Sequence, residues 1–169
     1  MLATIGYERS TLADFVATLQ LAKIDTLVDV RERAQSRRPG FSKKSLGAAL
    51  QHAGIDYLHL PELGDPKAGR EAARAGNVSL FLEIYNAVIN GPKAQEALGQ
   101  LELLASKKKV CLMCFERDQK DCHRKIVAED LEKRLGIKAT HWGVVTGAAC
   151  GSRERRMLHT DQGAAASIQ

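Results

Sequence analysis

The residues Cys122, His123 and Arg124 follow a polar loop and open an amphipathic segment that runs to Leu135. We predict a helix over Cys122–Leu135. The first turn of a helix has unpaired N–H groups and a partial positive charge, so it attracts anions and lowers the pKa of a nearby thiol. Histidine and arginine add donors for phosphate or carboxylate. The pattern predicts an anion site or a reactive thiolate. The alternative interpretation is purely structural: Cys122 is a small buried residue, and His123 and Arg124 are a solvated pair.

Cys114 and Glu116 stand at and just beyond the end of the apolar run Val110–Cys114, which predicts a strand. A side chain at the carboxyl end of a strand can face a ligand crevice, so Cys114 is a candidate nucleophile. Glu116 and His123 are candidates for proton transfer. The alternative is that Cys114 is a buried hydrophobe, as strand cysteines commonly are.

A zinc site is the other chemistry that these residue types allow, because Cys111, Cys114, Cys122 and His123 are all potential ligands. Residues three apart in a regular strand point to opposite faces of the sheet, so Cys111 and Cys114 diverge unless the strand ends early. We therefore predict that Cys111 fills the core, and we predict no metal site.

A second group of polar residues follows the strand-like run that starts at Thr26. Asp29 and Arg31 project to the same side if the strand continues, and they form either an ion pair between loops or a ligand clamp. The loop beyond them carries Ser36 and Arg37 among four arginines between positions 31 and 38. Such a loop is most often a solvated face, but at a strand end it favours anion binding.

The first strand-like run, Leu2–Gly6, delivers Gly6 and Tyr7 to the same edge. Tyr7 could stack on a ligand or donate a hydrogen bond to it, and a packing role is equally compatible with the sequence.

Strand-like runs alternate with amphipathic helices along the chain, a pattern typical of a mostly parallel sheet covered on both faces. We predict a three-layer, Rossmann-like α/β fold with about five strands, near residues 2–6, 26–30, 56–60, 110–114 and 138–142. Ligands of such sheets bind beyond the carboxyl ends of the strands, where all the residues above are expected to gather.

Length and composition fit one domain: the chain has 169 residues, 44% hydrophobic and 27% charged. We predict a domain over residues 1–145 and a mobile tail over 146–169. No apolar run is long enough for a membrane span and no export signal is visible, so we expect a cytoplasmic protein with four free thiols. The net charge of +5 permits an anionic small molecule or nucleic acid as partner.

Four segments of the chain resemble the domain of unknown function 488 family: Thr4 to Phe15, Asp29 to Leu46, Gly54 to Pro66 and Cys114 to Arg124. The likeness extends over residues 2 to 145. The resemblance implies a compact bacterial or archaeal α/β domain and no particular reaction. The positions that match its motifs are Thr4-Ile5-Gly6, Asp29-Val30-Arg31, Ser36-Arg37, Cys114, Glu116 and Cys122-His123-Arg124.

Three functions therefore remain open at the level of sequence. The first is a site for a phosphorylated or otherwise anionic ligand, neutralised by Arg31, Arg37 and Arg124. The second is thiol, sulfur-transfer or redox chemistry at Cys114 or Cys122, for which the layout is loosely similar to rhodanese-like domains. The third is a non-enzymatic module that binds nucleic acid or a partner through the arginine loop and the arginines of the tail. The sequence identifies neither a cofactor nor an oligomeric state.

Overall fold

The computed structural model describes residues 1–151 and consists of a five-stranded sheet between two layers of helices. The strands are β1 (Leu2–Gly6), β2 (Thr26–Asp29), β3 (Asp56–His59), β4 (Val110–Cys114) and β5 (Thr140–Trp142). The helices are α1 (Leu12–Leu21), α2 (Lys43–His52), α3 (Lys67–Arg74), α4 (Val78–Ile89), α5 (Pro92–Lys107) and α6 (Arg124–Leu135), with 3-10 turns at Pro61–Leu63 and Gln119–Asp121. None of the helices in this part of the chain is long and apolar enough to cross a bilayer.

All strand pairs are parallel, and the order across the sheet is β3-β2-β4-β1-β5. The predicted α/β class and parallel sheet are confirmed. In the Rossmann fold β1 lies between β2 and β4, whereas here β4 lies between β2 and β1. This order makes the carboxyl ends of β2, β4 and β1 direct neighbours, because Gly6 pairs with Cys114 and Asp29 pairs with Met113.

Two hydrophobic cores cover the two faces of the sheet. One joins the strands to α4, α5 and α6, and the other joins them to α1 and α2. Alternate residues of β4 enter different cores: Cys114 packs in the first, and Cys111 and Met113 pack in the second. The predicted divergence of Cys111 from Cys114 is confirmed, since side chains along a strand alternate between its faces.

The start of α6 differs from the predicted one. The helix begins at Arg124 with His123 as its N-cap, while Cys122 keeps an extended backbone with φ −137° and ψ 138°. The prediction of a helix from Cys122 is wrong at this end, because the Cys122 amide donates to the Gln119 carbonyl and closes the preceding 3-10 turn.

The packed domain continues beyond position 145, where the sequence predicts the tail to begin. The amide of Val145 donates to Thr18 Oγ1 at 3.0 Å, and that of Ala149 donates to Asp14 Oδ1 at 3.1 Å, so this segment lies on α1. The rest of the predicted mobile tail of 146–169, which is residues 152–169 with Arg153, Arg155 and Arg156, lies outside the described residues.

Gly6 is the point of closest approach between β1 and the segment that follows β4. A Cβ added at Gly6 would lie 1.8 Å from the Glu116 carbonyl oxygen and 2.6 Å from its carbon. Both neighbours are backbone atoms, so neither can rotate away. The glycine predicted as a ligand contact therefore has a packing function: it lets the Cys114–Glu116 segment lie against β1.

Replacing Gly6 with alanine is expected to lower the free energy of unfolding by about 1–3 kcal/mol, the usual cost of an extra methyl in a packed interior. Gly99→Ala is the matched control, because Gly99 lies within α5 and an added Cβ there meets nothing within 4 Å. That control should gain about 0.4–1 kcal/mol. Urea unfolding measures the change in the free energy of unfolding in both variants. Equal changes in Gly6→Ala and Gly99→Ala would contradict the packing role of Gly6.

Candidate functional site

A cavity of about 820 Å³ opens at the carboxyl ends of β1, β2 and β4. Its walls come from the loop after β2, one face of α3 and the segment after β4. Seven residues that the sequence predicts for the site line it: Tyr7, Arg31, Ser36, Arg37, Cys114, Glu116 and His123. The structure therefore brings most of the predicted residues to one place at the edge of the sheet.

A buried ion pair between Asp29 and Arg31 forms one side of the site. Arg31 Nε donates to Asp29 Oδ1 at 2.8 Å and Nη2 donates to Oδ2 at 2.6 Å, a two-point contact between side chains that are 7% and 0% exposed. Burial acts to lower the pKa of the guanidinium, but the Asp29 carboxylate outweighs it and the net shift is upward. Tyr57 also donates to Asp29 Oδ2, at 2.7 Å.

Two of the three remaining N–H donors of Arg31 are also used within the protein. Nη1 donates to the Tyr7 hydroxyl at 2.8 Å, and Nη2 donates to the Phe41 carbonyl at 3.0 Å. The Tyr7 ring stacks on Phe41 with centroids 4.4 Å apart, and its hydroxyl donates to Ser36 Oγ at 3.3 Å. Arg31 and Tyr7 thus fix the loop after β2, and of the two readings of Asp29 and Arg31 the structure shows the ion pair.

Three of the other arginines of the cavity have guanidinium groups without an ion-pair partner among the described residues. Arg33 and Arg37 on the loop and Arg74 on α3 are exposed and form no ion pair with a residue of the described range. Arg38 Nε is buried without a hydrogen-bond partner in the same range. Arg70 also lines the cavity and pairs with Glu32 at 2.6 Å.

Arg70 and Arg74 are site residues that the sequence reasoning missed. They lie four positions apart on α3, which places them on one helix face. The four-residue spacing of these arginines is visible in the sequence and indicates a basic helix face. Only the fold shows that this face of α3 borders the carboxyl edge of the sheet.

A buried cluster of two thiols and an imidazole adjoins the cavity, and its members Cys114 and His123 line it. Cys114 Sγ lies 3.9 Å from His123 Nδ1, and Cys122 Sγ lies 4.0 Å from the same nitrogen. His123 Nε2 lies 2.8 Å from the Val30 carbonyl oxygen. Cys114 Sγ also donates to Glu116 Oε2 at 3.2 Å. Residues from β4, from the loop after it and from the start of α6 therefore meet at one imidazole.

Protonation in this cluster differs from the prediction made for Cys122. Burial raises the pKa of the Cys122 thiol well above its ordinary value, and the neighbouring Cys114 adds to the rise. The prediction that the helix start lowers the pKa of the Cys122 thiol is wrong. Cys122 precedes the helix and is shielded from water. Burial acts to lower the pKa of His123, but Cys122, the Val30 carbonyl and Glu116 raise it, and the net direction is upward.

Arg124 holds the segment after β4 in place. Its Nη1 donates to the Glu116 carbonyl and its Nη2 donates to the Arg117 carbonyl at 3.0 Å, while Nε lies 3.5 Å from Thr4 Oγ1. The side chain is fully buried. The predicted anion ligand thus has its guanidinium engaged by backbone, and it acts on the site through the position of Glu116.

Asp65 is a third residue of the site that the sequence did not predict. It follows β3 in a Gly-Asp-Pro turn, is 5% exposed, and borders the cavity together with Glu116 and His123. Its Oδ1 has no hydrogen-bond partner among the described residues. Burial raises the pKa of this carboxyl to about 6, opposed by His123 and Arg70. Asp65 is therefore an incompletely satisfied acid at the wall of the site.

Asp29→Asn should lower the free energy of unfolding by roughly 3–5 kcal/mol, because it leaves the Arg31 guanidinium buried without its anion. The matched control is Asp56→Asn, which breaks an exposed pair with Lys108. Exposed pairs contribute little, so the control should unfold at nearly the wild-type denaturant concentration. Unfolding in guanidinium chloride compares the stabilities of the two variants. A small loss of stability in Asp29→Asn would show that the buried pair is not needed to hold the loop.

The family comparison agrees with the resemblance noted in the sequence. Residues 11–131 match the model of the family described as domain of unknown function DUF488, which is more than half of the 169 residues. The matched range includes the arginine loop, β4, Cys114, Glu116 and the Cys122-His123-Arg124 cluster. No curated protein and no solved structure matches the chain. The chain belongs to the DUF488 family.

Proposed function

We propose that the chain binds an anionic, phosphate-bearing small molecule in the cavity at the carboxyl ends of β1, β2 and β4. The observation that carries the proposal is the charge of the lining. Six arginines border the cavity against three acids: Arg31, Arg33, Arg37, Arg38, Arg70 and Arg74 against Glu32, Asp65 and Glu116.

The ion pairs leave part of this positive charge without compensation. Arg31 is neutralised by Asp29 and Arg70 by Glu32, while Arg33, Arg37 and Arg74 face the cavity without an acid from residues 1–151. Guanidinium groups present paired N–H donors that match the oxygens of a phosphate, and they stay charged at every physiological pH. A phosphate would supply the acceptors that these donors lack.

The size of the cavity favours a small molecule over a single inorganic ion. About 820 Å³ lies within the range of small-molecule sites, and Tyr7 and Phe115 add aromatic surface to its walls. A nucleotide or a sugar phosphate fits this combination of apolar surface and arginines. The floor beneath the ligand is formed by Cys114, Glu116 and His123, the side chains with acid, base or nucleophilic chemistry.

Cysteine-dependent chemistry is a second candidate, favoured by the contact of Cys114 Sγ with Glu116 Oε2 at 3.2 Å. A carboxylate at this distance can take the thiol proton as the sulfur attacks a bound substrate. Cys114 borders the arginine-lined cavity, so a ligand held by the arginines would lie over the sulfur.

Ligand binding should raise the midpoint of thermal unfolding. At a concentration of roughly 100 times Kd, a ligand adds about 2.7 kcal/mol to the free energy of unfolding, a shift of roughly 5–10 °C for a chain of this size. The probes are inorganic phosphate, a nucleoside monophosphate and a sugar phosphate. Absence of a shift with all three at millimolar concentration would contradict the proposal.

Arg37→Gln should weaken that binding by roughly tenfold or more, because a hydrogen bond to a charged group contributes about 1.5–3 kcal/mol. Arg117→Gln is the matched control: it removes the same charge from an exposed arginine that borders a different cavity. Titration calorimetry of both variants against the probe that shifts the melting midpoint separates a local contact from a general effect of net charge. Equal losses would show that Arg37 makes no contact of its own.

The thiol candidate predicts that the same ligand slows alkylation of Cys114 by iodoacetamide, since the ligand covers the sulfur. Cys150 is exposed and serves as the internal reference in the same sample. Peptide mass spectrometry reports the alkylation rates of Cys114 and Cys150, and the protein is first treated with a chelator so that no metal protects the thiols. Unchanged modification of Cys114 under a saturating ligand would place the ligand away from the thiol.

A further inference from the structure

The buried cluster beneath the cavity has the composition and convergence of a metal site. Cys114, Cys122 and His123 each direct one ligand atom to a common point, and these atoms all lie within 4.8 Å of one another. All three residues are buried. Two sulfurs and one imidazole nitrogen are the donor types that select zinc and chemically similar cations over calcium or magnesium.

The imidazole of His123 is oriented as a metal ligand would be. Its Nε2 lies 2.8 Å from the Val30 carbonyl oxygen, which can only accept a hydrogen bond, so the ring proton belongs on Nε2. In the neutral imidazole that a metal ligand requires, Nδ1 then carries the lone pair, and it is this nitrogen that faces both sulfurs. A metal-bound histidine commonly donates its other ring N–H to a backbone carbonyl in this way.

The separations are close to those of a tetrahedral centre. Bonds of about 2.3 Å to sulfur and 2.0–2.1 Å to nitrogen place ligand sulfur and nitrogen roughly 3.6 Å apart. The two sulfur-to-Nδ1 distances in the cluster are 3.9 and 4.0 Å. A contraction of a few tenths of an ångström brings each sulfur to the expected separation from Nδ1, and the two sulfurs lie within 4.8 Å of each other.

An independent observation at the same place is the incompletely satisfied carboxylate of Asp65. Its side chain is almost wholly buried, and Oδ1 lacks a hydrogen-bond partner in the described residues. Asp65 borders a smaller cavity of about 210 Å³ together with Cys122, His123 and Glu116. A buried acid without a partner is costly, and a cation beside it would offset that cost.

We propose that Cys114 Sγ, Cys122 Sγ and His123 Nδ1 bind one zinc-type divalent cation, with the fourth position open toward the cavity. Three protein ligands and an open position are the arrangement of catalytic rather than structural zinc sites. Cys114 and His123 border the arginine-lined cavity, so water or an anionic oxygen could reach the open position from there. The Cys-x-x-Cys pair is not the ligand set, because Cys111 lies on the other face of the sheet.

This inference goes beyond the anionic-ligand site, since metal binding uses none of the arginines. Its test is titration of the reduced, metal-free full chain with Co²⁺ and with Zn²⁺, without any other ligand. One Co²⁺ per chain is expected, with the strong visible bands of tetrahedral cobalt and charge-transfer bands from thiolate. Zn²⁺ should displace it and abolish both sets of bands.

Cys114→Ser and Cys122→Ser should each lose the thiolate bands and the stoichiometric metal. Cys111→Ser is the matched control, because Cys111 is equally buried but belongs to the opposite core, and it should keep the metal. Arg37→Gln should keep it as well, which separates a failure of this site from a failure of the anionic-ligand site. Far-UV circular dichroism verifies that each variant is folded.

A measurement on the unmodified chain covers the case in which the serine variants unfold. Zn²⁺ should slow alkylation of Cys114 and Cys122 at least tenfold and leave Cys150 unchanged. Metal retained in both folded serine variants would overturn the proposal. So would a Cys114–Cys122 disulfide as the sole product of air oxidation in the presence of Zn²⁺, or equal alkylation with and without the metal.

Discussion

The buried pair of Asp29 and Arg31 joins the parts of the chain that build the site. Asp29 ends β2 and accepts from Tyr57 on β3, while Arg31 donates to Tyr7 after β1 and to the Phe41 carbonyl beyond the arginine loop. Four separate segments are thus fixed to one ion pair. Because both charges are buried, neither can be lost without leaving the other uncompensated, so removing either side chain is strongly destabilising.

This pair also explains why the arginines of the site have two different functions. Arg31 and Arg124 are buried, and their donors are used by a carboxylate, a hydroxyl and backbone carbonyls. They shape the walls. Arg33, Arg37 and Arg74 are exposed in the cavity and have donors to offer. A frame of hydrogen-bonded cations therefore carries a second set without ion-pair partners in the described residues, and the proposed anion would need to order only the second set.

Much of the fold was predictable from the sequence, since it depends on local patterns. Alternating strands and helices indicated the parallel sheet, and the spacing of Cys111 and Cys114 correctly placed them on opposite faces. The strand order was not predictable, because insertion of β4 between β2 and β1 depends on long-range pairing. The same limit applies to Asp65 and Arg70: no local pattern brings them to the edge formed by other strands.

The site residues show which kind of sequence inference fails. Arg124 has the residue type and the helix-start position of an anion ligand, yet its guanidinium is engaged by the carbonyls of residues 116 and 117. Cys122 has the position of an activated thiol, yet burial raises its pKa. Residue type and element position therefore predicted which residues gather at the carboxyl edge of the sheet, while burial and hydrogen-bond partners determine what each side chain contacts there.

His123 connects the two halves of the site. On one side its ring is bound to the end of β2 through Val30, and on the other it faces the sulfurs of Cys114 and Cys122. A centre made of one divalent cation, two thiolates and a neutral imidazole has no net charge. It would therefore not repel the arginines above it. The proposed metal centre and the arginine-lined cavity are consequently compatible in charge. The arginines would provide the attraction for an anion, and the open position of the cation would provide a point of contact for one of its oxygens.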